Sequence, residues 1–158
     1  MATSPTITII GLGQPYRGDD AAGLNVAERL ADLQNESIRV IPFLGDATEL
    51  MHLWKNAAWL ILIDAAKSGQ PAGTIHHFDA HQRPLPSFLS SWSSHAFGLP
   101  EAITLARQFG QLPPRIEVYG IEGERFSMGE PMTPAVAAAC RKVAGMIRKQ
   151  VQAYLNPA

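Results

Sequence analysis

Two segments of the chain are continuously apolar and lack the alternation of a half-exposed strand. They are TITIIG at residues 6–11 and AAWLILIDAA at residues 57–66. Short apolar runs of this kind are typical of strands that are buried on both faces of a sheet. The second of these strands is expected to end at Asp64. Three further strands are predicted at residues 37–43, 73–80 and 114–123.

Between these strands, apolar residues recur at the spacing of an α-helix. Leu24, Ala27 and Leu30 predict an amphipathic helix over residues 20–33. The Pro- and Ser-rich residues 81–94 have no regular period and indicate a long loop. Further helices are predicted over residues 45–56 with Asp46 as the cap, over residues 99–109, and from Pro134 to about Tyr154 with Thr133 as the cap.

Strands and helices therefore alternate along the chain. This order predicts an α/β fold, a three-layer sandwich with a mostly parallel sheet of about five strands and helices on both faces. The 158 residues are 46% hydrophobic, and the sequence shows neither an internal repeat nor a linker. We expect a single domain over residues 1–158 with an ample core.

Composition excludes several classes of partner. The formal net charge is −1, so there is no basic surface for nucleic acid and no cluster of Lys and Arg for an anionic membrane. No apolar run approaches the length of about 20 residues that spans a bilayer. The start of the chain lacks the pattern of a signal peptide, and Cys140 is the single cysteine. We expect a cytoplasmic protein that binds neither nucleic acid nor membranes.

Candidate chemistry follows the ends of the predicted strands. Asp19 and Asp20 follow the first strand, Asp64 ends the third, and His95 lies at the start of a helix after the long loop. Ligands of an open α/β sheet bind beyond the carboxyl ends of its strands, so these groups are expected to converge there. Two carboxylates and an imidazole suit a divalent metal such as nickel or zinc, and equally suit general acid–base chemistry.

Each of these residues also has an ordinary structural explanation. Asp20 can cap its helix, Asp64 can stabilise a turn after its strand, and His95 can be a structural hydrogen-bonding residue. Their shared position at the carboxyl end of the sheet favours a functional interpretation.

Other polar residues are weaker candidates. Cys140 lies on the apolar side of the last helix and is expected in the core. His76 has no obvious partner, and the serines at positions 90, 91, 93 and 94 lack the Gly-x-Ser-x-Gly pattern of a nucleophile. One further group is expected on a single face of a strand and consists of His77, Asp79 and His81. These residues could form a surface metal site, but a solvated strand edge is the favoured explanation.

The Gly-x-Gly at the end of the first strand suggests a dinucleotide-binding loop, but the surrounding sequence argues against one. In GLGQPYRGDD the third glycine, Gly18, comes too late, and the second strand ends in Pro42 and Phe43 rather than in an acidic residue. Asp19 and Asp20 at the start of the helix would also repel a pyrophosphate. The glycines are better explained by a tight turn.

Four segments taken together resemble a known family. They are GLGQPYRGDDAAGLNV, LILIDAAKSGQPAGTIHHF, SSHAFGLPEAITLAR and VYGIEGERFSMGEPMTPAV, in this order. The set is similar to the hydrogenase maturation proteases, the endopeptidases that process nickel–iron hydrogenase large subunits, and covers nearly the whole chain. Peptidyl-tRNA hydrolases share only the opening turn, and their Thr-Arg-His-Asn stretch is absent.

The resemblance implies an endopeptidase of the aspartyl type, which removes the C-terminal extension of a nickel-loaded large-subunit precursor. The implied nickel is carried by the precursor, no organic cofactor is expected, and Zn or Cd can substitute for nickel in crystals. The family's metal-contacting positions fall on Asp20, Asp64 and His95, the residues already selected from strand ends. We expect these three to contact the metal and to be catalytic.

The chain departs from the family pattern at two places. Gln14 stands where the family often has Asn, and FLGDATEL replaces an Asp-Gly-Gly-Thr stretch, so that its carboxylate is missing or displaced to Asp46. These differences affect substrate choice more than activity. The alternatives are a non-proteolytic nickel-sensing chaperone or checkpoint protein for the same precursor, a different hydrolase on the same fold and, more distantly, a dinucleotide-dependent dehydrogenase.

Overall fold

The chain forms five strands and four α-helices in the computed structural model, which describes residues 6–44, 47–81, 83–89 and 98–157. The strands are β1 (Thr6–Leu12), β2 (Ile38–Phe43), β3 (Ala57–Ala66), β4 (Ile75–Asp79) and β5 (Arg115–Glu122). The α-helices are α1 (Ala22–Arg29), α2 (Leu50–Leu53), α3 (Leu99–Gln108) and α4 (Pro134–Leu155). Short 3₁₀ turns occupy Gly18–Ala21, Ala31–Leu33 and Ala47–Glu49.

The strands form one sheet in the order β2-β1-β3-β5-β4. β1, β2, β3 and β5 pair in parallel, and β4 pairs antiparallel with β5 at the edge. The predicted mostly parallel sheet of five strands is thereby confirmed. The antiparallel edge strand arises because the segment between β3 and β4 contains no helix, so the chain has no crossover with which to return parallel.

Alternate residues of the buried strands serve two separate hydrophobic cores. On one face of the sheet, Ile61 and Ile63 of β3 belong to a cluster with residues of α1 and α4. On the other face, Leu60 and Leu62 belong to a cluster with residues of α2 and α3. This arrangement confirms the three-layer sandwich, and it explains why β3 shows no alternation of polar and apolar residues.

Several predicted boundaries were wrong. β3 continues two residues past Asp64, because its last residues still pair with β5 as far as Ala66 and Glu122. The helix predicted over residues 20–33 is a 3₁₀ turn, α1 and a second 3₁₀ turn, and the helix predicted over residues 45–56 shrinks to a 3₁₀ turn followed by α2. Asp46, the cap predicted for the latter, lies outside the described residues.

The contact between α1 and the sheet requires glycine at two positions. A Cβ atom at Gly23 would overlap the backbone oxygens of Leu12 and Ile63, and one at Gly11 would overlap the backbone of Gly23. The start of α1 therefore packs directly on the backbone of β1 and β3. This close approach holds residues 18–21 above the carboxyl ends of the two strands.

No helix in the described ranges is long and apolar enough to span a membrane.

A pair of glycine substitutions tests this close packing. Gly23→Ala is expected to destabilise the protein by several kcal/mol, on the order of 2–4, because the added methyl group must displace the backbone of β1 or β3. Gly145→Ala in α4 is the matched control, since the added carbon would meet no heavy atom within 4 Å apart from its chain neighbours and the backbone of its own helix. That change is expected to raise the free energy of unfolding by about 0.5–1 kcal/mol. Urea unfolding measures both changes, and equal effects at the two positions would contradict this packing.

Candidate active site

The candidate site lies where the chain order of the strands reverses. From β1 the chain passes to β2 on one side, whereas the next strand, β3, pairs with β1 on the other side. Such a reversal opens a crevice at the carboxyl ends of the strands, where open α/β sheets bind their ligands. The 3₁₀ turn Gly18–Ala21 follows β1 here and carries Asp20, and Asp64 lies near the end of β3.

The two adjacent aspartates of the 3₁₀ turn have different surroundings. Asp19 is fully buried, and its carboxylate accepts hydrogen bonds from the backbone N–H groups of Glu124, Arg125 and Thr133 at 2.8–3.1 Å. The Thr133 hydroxyl donates to the same carboxylate, at 3.0 and 3.1 Å from its two oxygens. Asp19 is therefore a structural residue that connects the loop after β1 to the loop after β5 and to the start of α4.

Asp20 has none of these partners. The residue is 1% exposed. Neither carboxyl oxygen makes a well-formed hydrogen bond to the part of the chain that the structure describes, although the backbone N–H of Gln14 is close enough to lower the pKa of the group. Asp20 lies in the first turn of its 3₁₀ segment, and the N-cap position of α1 is occupied by Ala21 rather than by Asp20, so Asp20 does not cap this helix. Buried polar groups are almost always hydrogen-bonded. An exception of this kind indicates a group reserved for a ligand or for chemistry.

Burial and a neighbouring charge make Asp20 a weak acid. Burial is the larger cause and the negative charge of Asp64 the second, and together they raise the pKa of Asp20 from 3.8 to about 7. The backbone amide of Gln14 and the guanidinium of Arg17 oppose this increase only in part. At neutral pH the carboxyl group is therefore populated in both protonation states, as proton transfer to and from a substrate requires.

Asp64 is the second carboxylate of the pair. It is 3% exposed, and its Oδ1 accepts a hydrogen bond from the backbone N–H of Ala65 at 2.8 Å. Asp64 lies within β3, opposite Gly120 of β5. Asp64 therefore belongs to the regular sheet. The structural explanation, in which Asp64 stabilises a turn after its strand, is wrong. The rigid central strand fixes its position beside Asp20.

The third predicted site residue, His95, lies outside the described residues, as do the serines at positions 90, 91, 93 and 94. Within the described ranges, no group of three or more His, Cys, Asp or Glu side chains could hold a metal ion. Asp20 and Asp64 alone thus form the described part of the predicted three-residue set.

A second buried carboxylate network was missed by the sequence analysis. Glu122, at the end of β5, is 1% exposed and accepts hydrogen bonds from the backbone N–H and hydroxyl of Ser68 at 2.8 and 2.6 Å. His76 Nε2 lies 3.0 Å from Glu122 Oε1, so His76, for which no partner was expected, has one. Burial would raise the pKa of Glu122, but the hydrogen bonds from Ser68, His76 and Gly69 hold it below its usual value. The partners lie more than 40 residues away in sequence, so no local pattern shows the network.

The remaining candidates are structural. Cys140 is buried in α4, and burial raises the pKa of its thiol to about 12, so it stays a neutral thiol without nucleophilic character. His77 lies 3.0 Å from Glu117 and stacks on Tyr119, with ring centroids 4.3 Å apart. The edge position of β4 confirms the strand edge predicted for His77 and Asp79, whereas His81, predicted on the same strand face, lies past the end of β4.

Comparison with known proteins gives the family. A family model described as hydrogenase maturation protease matches residues 24–150, a span that includes Asp64 and position 95 and begins just after Asp20. The hydrogenase expression/formation protein HoxM of Cupriavidus necator is 26% identical over 152 residues, which cover 90% of this chain and 74% of that protein. For HupD of Thiocapsa roseopersicina the identity is 24% over 157 residues, with coverage of 91% and 70%.

Solved structures show the same fold. The hydrogenase maturating endopeptidase HybD from Escherichia coli superposes with a TM-score of 0.70 at 21% identity, covering 92% of this chain and 93% of that one. The solution structure of an endopeptidase from Escherichia coli gives a TM-score of 0.78 at 21% identity, with coverage of 90% and 89%.

The α/β sandwich with its buried acidic pair is thus the scaffold of a hydrolase, and the chain belongs to the hydrogenase maturation protease family. Its activity is that of an endopeptidase that processes a hydrogenase precursor. The non-proteolytic chaperone that the sequence left open is not favoured.

The buried acid is tested by the pH dependence of stability. Because the pKa of Asp20 in the folded protein, about 7, exceeds its ordinary value of 3.8, the folded protein retains a proton that the unfolded chain releases between about pH 4 and pH 7. Asp20 therefore lowers the free energy of unfolding as pH rises through this window, by about 1.4 kcal/mol per unit.

The Asp20→Asn variant lacks this titration. Its stability relative to wild type is expected to increase from about pH 4 to about pH 7 and to level off above. Urea unfolding of both proteins across this range measures the difference, and a difference independent of pH would contradict the raised pKa.

The structural role of Asp19 is tested by Asp19→Asn. The amide group would direct an N–H₂ donor at backbone N–H groups, so we expect a loss of roughly 2–4 kcal/mol in the free energy of unfolding. Asp32→Asn is the control, because Asp32 is exposed and its ion pair with Arg148 at 2.8 Å is a surface contact that solvent screens, so we expect little change in stability. Thermal and urea unfolding measure both, and a neutral Asp19→Asn would contradict the assigned role.

Proposed function

We propose that the protein removes the C-terminal extension of the nickel-loaded large-subunit precursor of a nickel–iron hydrogenase. In this proposal Asp20, Asp64 and His95 contact the nickel of the substrate and are also the catalytic residues. The metal arrives with the precursor as part of the substrate, and no organic cofactor takes part. Zn or Cd, which favour similar ligands, are expected to occupy the same position in crystals.

The observation that supports the proposal most directly is that two buried carboxylates, Asp20 and Asp64, lie close enough for the charge of Asp64 to raise the pKa of Asp20. Both carboxyl oxygens of Asp20 are buried without a hydrogen-bond partner among the described residues. A buried carboxylate is costly unless it is paired, protonated or bound to a metal. Near neutral pH Asp20 meets this cost by protonation. A divalent cation brought in by the precursor would replace the proton and relieve the repulsion between Asp20 and Asp64.

The same pair supplies the chemistry of an aspartyl-type hydrolase. Nickel contact fixes the position of the precursor, and this positioning lowers the barrier because the scissile bond is held against the reacting groups. Asp20 has two free oxygens, enough for one metal contact and one hydrogen bond to water. In its ionised form it accepts a proton from the attacking water and then returns that proton to the leaving amine.

The location of the reaction belongs to the same proposal. We place it in the cytoplasm, on the strength of a single cysteine that is buried and unpaired. The large-subunit precursor is the partner, and neither nucleic acid nor a membrane is required.

The proposed reaction is tested on a large-subunit precursor prepared with and without nickel. Intact-mass spectrometry after incubation is expected to show loss of a C-terminal peptide from the nickel-loaded form alone. Asp20→Asn and His95→Gln are expected to lower the rate at least a hundredfold, because each removes a metal contact and, for Asp20, the proton acceptor. Asp32→Asn, which removes an exposed carboxylate remote from the sheet's carboxyl end, is expected to leave the rate unchanged.

Two results would overturn parts of this proposal. Equal cleavage of the nickel-free precursor would exclude recognition through nickel. Wild-type rates for Asp20→Asn would exclude Asp20 as the proton acceptor and as a necessary metal contact.

A further inference from the structure

Exposed apolar side chains surround the carboxyl end of the sheet. Tyr16 follows β1, Leu44 follows β2 and Met128 follows β5, and their side chains are 79%, 50% and 66% exposed, respectively. We call these three residues the apolar rim. The other large exposed apolar side chains of the described ranges belong to the opposite end of the sheet, near the start of β5 and the end of α4, and are Phe109, Tyr154 and Leu155.

Hydrogen bonds connect the three loops of the apolar rim. The Tyr16 carbonyl accepts a hydrogen bond from the backbone N–H of Gly129 at 2.7 Å, next to Met128. The Gln14 side-chain amide donates to the Leu44 carbonyl at 3.3 Å. The loop after β1 is thus joined on one side to the loop after β2 and on the other to the loop after β5. The three side chains therefore belong to loops that are hydrogen-bonded to one another.

The backbone of Tyr16 is strained in a way that supports a binding role. Its φ angle is +67°, in the left-handed region that is unfavourable for a bulky side chain. Glycine or asparagine would adopt this conformation at lower cost. The fold holds a large aromatic ring here in solvent, where it contributes nothing to the core, and strain of this kind is concentrated at functional sites.

The apolar rim is rigidly coupled to the buried acids. Tyr16 precedes Asp20 by four residues, and Asp19 accepts hydrogen bonds from Glu124 and Arg125, in the same loop as Met128. The loops that carry Tyr16 and Met128 are therefore joined to the turn that carries Asp20. We propose that the apolar rim binds apolar side chains of the precursor polypeptide that flank the bond to be cleaved, an inference that rests on the proposed function.

The size and chemistry of the apolar rim fit a transient peptide contact. Three side chains offer a few hundred Å² at most, well below the approximately 800 Å² per partner of a stable dimer. Tyr and Met are enriched at such contacts, because Tyr combines a rigid apolar ring with a polar hydroxyl and Met adapts its shape. A substrate that is bound and released thus suits this surface better than a second copy of the chain.

The inference is tested by steady-state kinetics on a nickel-loaded precursor that the wild-type protein cleaves. Tyr16→Asn removes the ring and keeps a residue that tolerates the left-handed backbone, and Met128→Gln keeps the side-chain length. Each is expected to raise KM roughly tenfold with kcat within about twofold, as for the loss of an interface anchor. Phe109→Asn is the matched control, since it removes an exposed aromatic ring from the opposite end of the sheet, and its KM is expected to equal that of wild type.

The outcomes separate this inference from the proposed function. If wild type cleaves the precursor and both Tyr16→Asn and Met128→Gln retain wild-type KM, the apolar rim has no role in binding, and the proposed function stands. If the wild-type protein cleaves no precursor, the proposed function and the inference about the apolar rim both fail. A fall in kcat instead of a rise in KM, or an equal rise for Phe109→Asn, would also overturn the inference. The inference would also be overturned if analytical ultracentrifugation showed that the wild-type protein is a dimer and that Tyr16→Asn dissociates it. Thermal unfolding midpoints equal to that of wild type show that the variants are folded.

Discussion

The arrangement of the active site depends on the buried carboxylate of Asp19. Its two oxygens accept hydrogen bonds from three backbone N–H groups and one hydroxyl. These donors belong to the loop after β5 and to Thr133, the residue before α4, so a single side chain joins chain segments more than 100 residues apart. A buried charge is tolerated only when it is this fully hydrogen-bonded. The loop after β1, the loop after β5 and the start of α4 are consequently held together.

This anchoring also fixes the position of the next residue. Because Asp19 and the packing of α1 on β1 and β3 fix the backbone of the turn, Asp20 is held in a buried position beside Asp64, without a well-formed hydrogen bond to its carboxylate from the described residues. The energy of folding thus compensates for an unfavourable local arrangement, in which two carboxylates approach each other away from water. Two neighbouring aspartates divide the work, since one stabilises the turn and the other has its pKa raised.

Thr133 shows how the burial of Asp19 changes the role of a residue at the start of a helix. The sequence predicted that Thr133 caps the last helix, and it does occupy the position before Pro134. Its hydroxyl makes no capping bond and instead donates to Asp19. A threonine before a proline marks the start of a helix correctly, but the tertiary structure sets the partner of its side chain, because the fold brings the Asp19 carboxylate to 3.0 Å from the hydroxyl.

The sequence by itself determined the α/β class, the doubly buried β1 and β3, and the placement of Asp20 and Asp64 at the carboxyl end of the sheet. These features follow from the periodicity of apolar residues and from the geometry of parallel sheets, both of which are local or general. Only the tertiary structure decided that the carboxylate of Asp19 is fully hydrogen-bonded whereas that of Asp20 makes no well-formed hydrogen bond among the described residues, that Glu122 holds Ser68 and His76, and that β4 runs antiparallel. The hydrogen bonds of Asp19 and Glu122 join residues 46 to 114 positions apart, and a one-dimensional pattern does not contain such contacts.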